Sequence, residues 1–349
     1  MKKNVVFIAD YTYYKNINAQ VCYDFITGVK SYNKKYNITI FWTDEESIFV
    51  ENKVRAIKPE LVVIFEINNF QPATKHFDFI FSLGIPIYFF MDDTYYIKRN
   101  TSVCEYTQQV DGIIFWYKNE KAKRSYQRAF PNKKILNVSS RFVNTNTYKD
   151  WGLPKKYDIL LYGSRIYHYE YKREPNEAIQ DYIKQYETQT NTIVDNDTKV
   201  SFYPLRCKML SVLSKIDSKY NVHIVPEGCY DSRVANEELS KLINESHLTI
   251  TCSSIADVLL HKYLEISASK SVILGDVPSD YRDLFHDKVV NINSFMSDDE
   301  IIQIIDNALK VKTNLTRKGE ELHDIVHKEH NLEQASSSFT QVIDEILTA

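Results

Sequence analysis

Lys262 and Glu265, three residues apart, are the side chains of this 349-residue sequence whose types and spacing best suit ligand chemistry. On a helix, residues at this spacing lie on neighbouring faces. A glutamate carboxylate accepts hydrogen bonds from two hydroxyl groups, and a lysine ammonium binds phosphate. The pair therefore predicts a site for a ligand that carries both groups. The alternative is an ordinary amphipathic helix with Leu260 and Leu264 inside and both charges solvated.

Two arginines in the same half of the chain supply further positive charge. Gly163, Ser164 and Arg165 follow a predicted strand, and Arg206 opens a predicted helix. Arginine matches phosphate oxygens bidentately, and the amino terminus of a helix adds N–H donors. These residues predict a diphosphate site. The alternative is that each arginine forms a surface ion pair.

The segment around Lys262 has a recognisable order of residues. Ser253, Ser254 and Asp257 precede a helix of the type Lys-Tyr-x-Glu-x-x-Ala, which is followed by an apolar strand ending in Gly-Asp-Val-Pro. The positions that carry this pattern are Lys262, Tyr263, Glu265, Ala268, Gly275, Asp276 and Pro278. The pattern resembles the donor-binding segment of GT-B glycosyltransferases, in particular the group-one, retaining members with two glutamates separated by seven residues.

This resemblance implies two facing doubly wound, Rossmann-like α/β domains and the transfer of a sugar from a nucleotide-diphospho-sugar to a hydroxyl acceptor. In that family the later glutamate binds the nucleotide ribose and the earlier one lies near the sugar. Glu265 stands at the later position and the shorter Asp257 at the earlier one. The donor is a co-substrate rather than a cofactor, and no catalytic metal is implied. The donor contacts expected here are Gly163, Ser164, Arg165, Arg206, Ser253, Ser254, Lys262, Tyr263 and Glu265.

Carboxylates at predicted strand ends in the first half are candidates for a general base. Asp92 and Asp93 follow the fourth predicted strand, and a carboxylate in an apolar cleft can have its pKa raised towards neutrality. They are the preferred base if the anomeric configuration is inverted, whereas the spacing of Asp257 and Glu265 favours retention, which needs no such base. Helix capping or turn formation is their alternative role.

Composition argues against several other classes of protein. The 43 basic and 46 acidic side chains give a formal charge of -3, which does not favour nucleic acid or anionic lipid as a partner. No apolar stretch approaches the roughly 20 residues of a membrane-spanning helix. Five scattered cysteines, with no leader-like start, predict a cytoplasmic protein. His323 and His327 have a zinc-like spacing, but a solvated face is favoured and no metal is expected.

Short β-rich runs alternate with amphipathic stretches in both halves of the chain, as a parallel sheet with crossover helices requires. The predicted strands cover residues 5–9, 38–42, 61–65, 85–90, 112–116, 135–138, 222–225, 248–251, 271–274 and 288–291, with another beginning at 157. The predicted helices cover residues 19–32, 47–57, 206–218, 235–244, 259–267 and 298–311. A polar insertion over 167–199 has an Asn/Thr/Asp-rich part that is predicted as a loop or lid.

A polar stretch over 139–156 predicts a linker between two domains. We expect an acceptor-side domain over residues 1–145, a donor-binding domain over 155–330 and a carboxyl-terminal helix over 331–349. The resemblance implies that this helix packs back on the first domain and that the donor occupies the interdomain cleft. Two rival functions are a non-catalytic nucleotide-sugar or sugar-binding protein and a GT-B-like sugar-nucleotide epimerase. The oligomeric state is left open.

Overall fold

The computed structural model divides the chain into two units, each with its own parallel sheet. It describes residues 2–10, 20–42, 47–65, 77–91, 97, 108–115, 118–139, 141–165, 173–195, 198–226 and 236–348. The first unit comprises Met1–Arg141 and Leu332–Ala349, and the second comprises Phe142–Asn331. No helix in the described ranges combines the length and the apolar composition that crossing a bilayer requires.

The described part of the first unit contains a parallel sheet in the order β2-β1-β3-β4-β5-β6. Its strands are β1 (Asn4–Ala9), β2 (Asn37–Trp42), β3 (Leu61–Phe65), β4 (Ile87–Met91), β5 (Gly112–Phe115) and β6 (Lys134–Asn137). Strands β3, β4 and β5 are buried along their whole length. Helices cover both faces of such a sheet, so its strands are continuous apolar runs. The helices between the strands are α1 (Gln20–Tyr32), α2 (Ser47–Ile57), α3 (Phe77–Phe81) and α4 (Glu120–Ala129).

The described part of the second unit contains a parallel sheet in the order β8-β7-β9-β10-β11. Its strands are β7 (Tyr157–Leu161), β8 (Val222–Ile224), β9 (Ser246–Ile250), β10 (Val272–Gly275) and β11 (Val290–Asn291). Its helices are α5 (Glu177–Thr190), α6 (Pro204–Ile216), α7 (Asn236–Asn244), α8 (His261–Ala268), α9 (Arg282–Phe285), α10 (Asp298–Lys310) and α11 (Lys312–Glu329). The predicted strands and helices are present, with ends that differ by at most two residues. The doubly wound α/β class is confirmed.

Helix α5 is a correction to the sequence analysis, which predicted no helix within the insertion over 167–199. The Asn176 side chain begins the helix by accepting a hydrogen bond from Ala178 N at 2.9 Å. Ala178, Ile179 and Ile183 are buried, and the two isoleucines are four residues apart, so they lie on one face. The helix ends at Asn191, whose φ of 52° is left-handed. The surrounding polar residues obscured this short apolar face.

The last helix, α12 (Leu332–Thr348), belongs to the first unit and packs against α1. Phe339 is fully buried, and its ring lies 5.7 Å from that of Phe7 and 5.4 Å from that of Phe25. A polar contact adds to this packing, because Asn33 Nδ2 donates to Thr340 Oγ1 at 2.7 Å. The end of the chain therefore completes the core of the first unit.

A polar network fixes the carboxyl end of α8. Asn244 Nδ2 donates to Ser269 O and to Asp150 Oδ1, both at 3.0 Å. Lys155 Nζ donates to Lys270 O at 2.8 Å and to Asn244 O at 2.7 Å. Lys270 Nζ in turn donates to Asp150 Oδ2 at 3.1 Å. These bonds satisfy carbonyl groups that a helix end otherwise leaves unpaired.

We expect Asp150 to make stability depend on pH in the acid range. Burial by itself would raise the pKa of this carboxyl, but hydrogen bonds from Gly152 N, Lys270 and Asn244 lower it from 3.8 to about 2. The folded state then binds fewer protons than the unfolded state, so this stabilisation is complete above pH 3.8 and is lost as the pH falls towards 2. Asp150→Asn should lower the midpoint of urea unfolding near neutral pH. As the pH falls towards 2, the midpoint of this variant should decrease less than that of the wild type.

The exposed Asp283 provides a control in the same unit. Asp283→Asn should unfold like the wild type at neutral and at acid pH. Equal acid sensitivity of Asp150→Asn and the wild type would contradict the assignment of this pH dependence to Asp150.

Candidate functional site

The predicted donor residues lie at the carboxyl edge of the second unit's sheet. The chain reverses its direction along that sheet between β7 and β9, because β8 extends one side and β10 the other. Ligands of open α/β sheets bind beyond the strand ends at such a reversal. Gly163 follows β7, Ser253 follows β9, and α8 with Lys262 and Glu265 connects β9 to β10.

Gly163 lets two cations approach the end of β7. Its φ of 86° lies in the left-handed region that favours glycine. A methyl group at this position would overlap the Lys262 side chain and would lie 3.1 Å from Arg206 Nη1 and 3.2 Å from Lys262 Nζ. Gly163, Arg206 and Lys262 therefore border one another, although they are far apart in the sequence.

The Arg206 guanidinium is buried without an acidic partner among the described residues. It is 1% exposed, its Nη1 donates to Ser164 O at 2.8 Å, and its Cζ lies 3.5 Å from the Tyr203 ring centroid. Its Nε and Nη2 form no hydrogen bond within the described ranges. Burial raises the pKa of the neighbouring Cys252 thiol, and Arg206 only partly opposes that rise, so the thiol does not neutralise the charge. A buried, unpaired cation is costly, and an anionic ligand would offset that cost.

Tyr162 contacts both members of the lysine–glutamate pair. Its hydroxyl donates to Glu265 Oε2 at 2.9 Å, and Lys262 Nζ lies 4.8 Å from its ring centroid. Burial, followed by the Glu265 charge, raises the pKa of Tyr162 well above its usual value, so the phenol keeps its proton. Lys262 and Glu265 are each half-buried. Tyr162 was not among the residues predicted from the sequence, because its position just before Gly163 does not indicate a contact with Glu265, 103 residues away.

Asp276 links α8 to the loop that follows β9. Its Oδ1 accepts hydrogen bonds from Tyr263 OH and Ser253 N, both at 2.7 Å, and its Oδ2 accepts one from Ser253 Oγ at 3.0 Å. Burial raises the pKa of Asp276, and the bonds from Tyr263 and Ser253 oppose that rise. The side chains of Ser253 and Tyr263, both predicted donor contacts, therefore form part of the framework. The sequence analysis had identified Asp276 only as part of the pattern.

Two residues of the same loop have left-handed backbone conformations, with φ of 64° at Ser254 and 51° at Asp257. Ser254 Oγ accepts a hydrogen bond from Ala256 N at 3.2 Å, and Asp257 Oδ1 accepts one from Ser279 N at 3.0 Å. Non-glycine residues in this region are strained, and such strain clusters at functional sites. The loop is thus held in a specific shape directly before α8.

The remaining candidates lie apart from this group or outside the described residues. Arg165 is buried, and its Nη1 donates to Val225 O at 3.2 Å, next to β8. Asp92 and Asp93, the candidate bases, lie outside the described residues. The His323 and His327 rings stack at 4.1 Å. Within the described ranges, no group of three or more His, Cys, Asp or Glu side chains is arranged to hold a metal ion.

No protein-family model matches the sequence, and no curated protein matches it either. Solved structures match over nearly the whole chain. Sucrose-phosphate synthase from Thermosynechococcus elongatus is 8% identical, with 99% of this chain and 100% of that chain covered and a TM-score of 0.60. Anabaena HepE, solved with UDP and glucose, is 10% identical, with 98% of this chain and 100% of that chain covered and a TM-score of 0.56. A Listeria monocytogenes protein assigned as a UDP-N-acetylglucosamine 2-epimerase is 11% identical, with 98% of this chain and 96% of that chain covered and a TM-score of 0.51.

The chain has the GT-B fold. The coverage shows that the match extends through both units rather than the donor segment alone. The fold that the Lys262 to Pro278 pattern implied is therefore confirmed.

We expect Gly163→Ala to destabilise the second unit more than Gly152→Ala. Both glycines have positive φ, at 86° and 66°, and an L-residue there costs about 1–2 kcal/mol. A methyl group at Gly152 meets nothing within 4 Å, whereas one at Gly163 overlaps Lys262 and would push its ammonium off the Tyr162 ring. Loss of that cation–π contact adds about 0.5–1 kcal/mol. Urea unfolding of the two variants measures the difference, and equal midpoints would contradict the packing described for Gly163.

Proposed function

We propose that the protein is a glycosyltransferase that moves a sugar from a nucleotide-diphospho-sugar to a hydroxyl acceptor on a glycan, a lipid or a protein-linked sugar. The observation that carries the proposal is the buried Arg206 charge beside Gly163 and Lys262, for which the described part of the chain provides no acidic partner. It lies at the strand-end position where α/β sheets bind ligands. HepE, which shares the fold, was solved with UDP and glucose, which supports a nucleotide-sugar ligand.

The donor diphosphate would bind to Arg206 and Lys262. Their positions support this assignment, because both cations border Gly163 at the end of β7. Glu265 would accept hydrogen bonds from the nucleotide ribose. Ser254, in the loop before α8, would contribute a further donor contact, whereas Arg165 lies apart, next to β8, and would contribute only to the positive charge of this edge. The second unit thus supplies donor binding, and the first unit supplies acceptor recognition.

The catalytic contribution of these residues is electrostatic. Negative charge develops on the diphosphate as its bond to the sugar breaks, and fixed cations stabilise such charge most strongly where water is excluded. Arg206 is held in place by Ser164 O and the Tyr203 ring before any ligand binds. Because side-chain cations perform this role, we propose a metal-independent reaction that continues in the presence of EDTA.

The spacing of Asp257 and Glu265 supports retention of the anomeric configuration. Asp257 lies in the loop before α8 and would contact the donor sugar, although one of its oxygens already accepts from Ser279 N. Inversion would require a protein base, for which Asp92 and Asp93 remain the candidates. The configuration of the first transfer product, determined by NMR, distinguishes the two outcomes.

We expect Arg206→Met to weaken binding of the donor nucleotide without lowering the stability of the unliganded protein. Without ligand, this variant should melt at or above the wild-type temperature, because an unpaired buried cation has been removed. Its affinity for the donor nucleotide should fall about 10–100-fold, as expected when charged hydrogen bonds to an anion are lost. The measurement is thermal unfolding of both proteins with and without UDP-, GDP-, ADP- and dTDP-sugars.

Arg317→Met is the matched control, because Arg317 lies on the surface of α11 and pairs with Glu321. It should keep the wild-type response to the donor. Lys262→Ala and Glu265→Ala should each weaken donor binding. Binding of no nucleotide sugar by the wild type, or undiminished binding by all three site variants, would refute the proposed function.

An epimerase is the second candidate, because a protein assigned to that activity shares the fold. Incubation of the bound donor without an acceptor distinguishes the two. A transferase releases the nucleoside diphosphate by slow hydrolysis, whereas an epimerase converts the sugar and leaves the nucleotide attached.

A further inference from the structure

The Tyr162 side chain contacts both the Glu265 carboxylate and the Lys262 ammonium of α8. Side chains alternate between the two faces of a strand, so Leu161 packs against α6 and Tyr162 projects to the opposite face. On that face the Tyr162 side chain joins the cluster that contains Tyr263 and Leu264 of α8. Its side chain is 2% exposed, so its position is fixed by packing.

The hydroxyl of Tyr162 fixes the orientation of the Glu265 carboxylate. A carboxylate has two oxygens with about four acceptor positions, and Tyr162 occupies one of them on Oε2 at 2.9 Å. Within the described ranges no other side chain donates to this carboxylate, so the remaining positions can accept donors from a ligand, such as two neighbouring hydroxyls of a ribose. A carboxylate held in one orientation loses less side-chain entropy when it binds than one that rotates.

We propose that Tyr162 is a positioning residue that holds Glu265 for both hydroxyls of a ribose and so makes the site select ribonucleoside over deoxyribonucleoside diphosphates. This inference rests on the proposed function, since it assigns the ribose to Glu265. Sites built to hydrogen-bond a hydroxyl discriminate strongly against ligands that lack it, because their polar groups are then left unpaired. UDP-, GDP- and ADP-sugars are therefore preferred donors, and dTDP-sugars are disfavoured.

The Tyr162 ring has a separate role towards Lys262. The ammonium lies over the ring at 4.8 Å, within the range of a cation–π contact. Removal of the hydroxyl alone leaves that contact in place. Tyr162→Phe therefore tests the Glu265 contact, and Tyr162→Leu tests both contacts together.

The test measures the affinities of UDP, GDP and ADP and of their 2′,3′-dideoxy counterparts by titration calorimetry at one ionic strength. The wild type should prefer each ribonucleotide that it binds. Tyr162→Phe should weaken ribonucleotide binding by up to roughly tenfold, because Glu265 then loses rotational freedom when the ribose binds. Its affinity for the dideoxy form should stay within about twofold, because that form offers no hydroxyl to Glu265. Tyr162→Leu should weaken binding of both forms.

Tyr220→Phe is the matched control. It also removes one tyrosine hydroxyl bonded to a carboxylate in the second unit, at 2.6 Å from Asp306 Oδ1, but the carboxylate lies on α10 rather than α8. It should leave both affinities unchanged. In a Glu265→Gln background, Tyr162→Phe should have little further effect on the ribonucleotide.

If Tyr162→Phe weakened the affinity for the ribo and dideoxy forms equally, Tyr162 would have a general structural role and the proposal would be wrong. Unchanged affinity for both forms would also overturn the proposal. Equal wild-type affinity for the ribo and dideoxy forms would also overturn it while leaving the proposed function in place. If the wild type bound none of the nucleotides, both the role of Tyr162 and the proposed function would be overturned.

Discussion

Burial of the Arg206 charge, which has no acidic partner among the described residues, is the constraint on which the arrangement of the second unit's site depends. Such a cation destabilises a folded chain unless other groups hold it and a ligand completes its hydrogen bonds. Ser164 O and the Tyr203 ring hold it here, and the glycine at position 163 leaves room for Lys262 beside it. A carboxylate in that space would offset the charge and remove the proposed anion site. Under the proposed function, the cost of burying this charge is offset when the ligand binds, and the charge is already oriented before the ligand arrives.

Much of the fold could be predicted because it follows from local sequence. Buried parallel strands are continuous apolar runs, and β3 and β4 illustrate this directly. The ends of β3 were predicted correctly, whereas those of β4 were predicted one or two residues too early, since the last paired residue depends on the neighbouring strand rather than on composition. Helix α5 was missed because its apolar face is short and lies within a polar insertion. Burial against the rest of the unit, which a local pattern does not contain, stabilises that helix.

The candidate site could be predicted only where position along a strand or helix determines the role. Arg206 and Lys262 carry charge near strand ends, so their types and positions sufficed. Tyr162 could not be found in this way, because its role depends on the face of β7 from which it projects and on Glu265, which is 103 residues away. Asp276 is a similar case, because it contributes through Ser253 and Tyr263 rather than by facing a ligand. Sequence patterns identify charged groups more readily than the side chains that orient them.

Helix α8 connects these observations, because it is restrained at its carboxyl end and along its side while its amino end lacks a side-chain cap. The bonds from Asn244 and Lys155 fix the residues after its last turn, and the bond from Tyr263 to Asp276 fixes its middle. The proposed selectivity therefore depends on side chains that a restrained helix presents, Lys262 and Glu265, and on the tyrosine that contacts both.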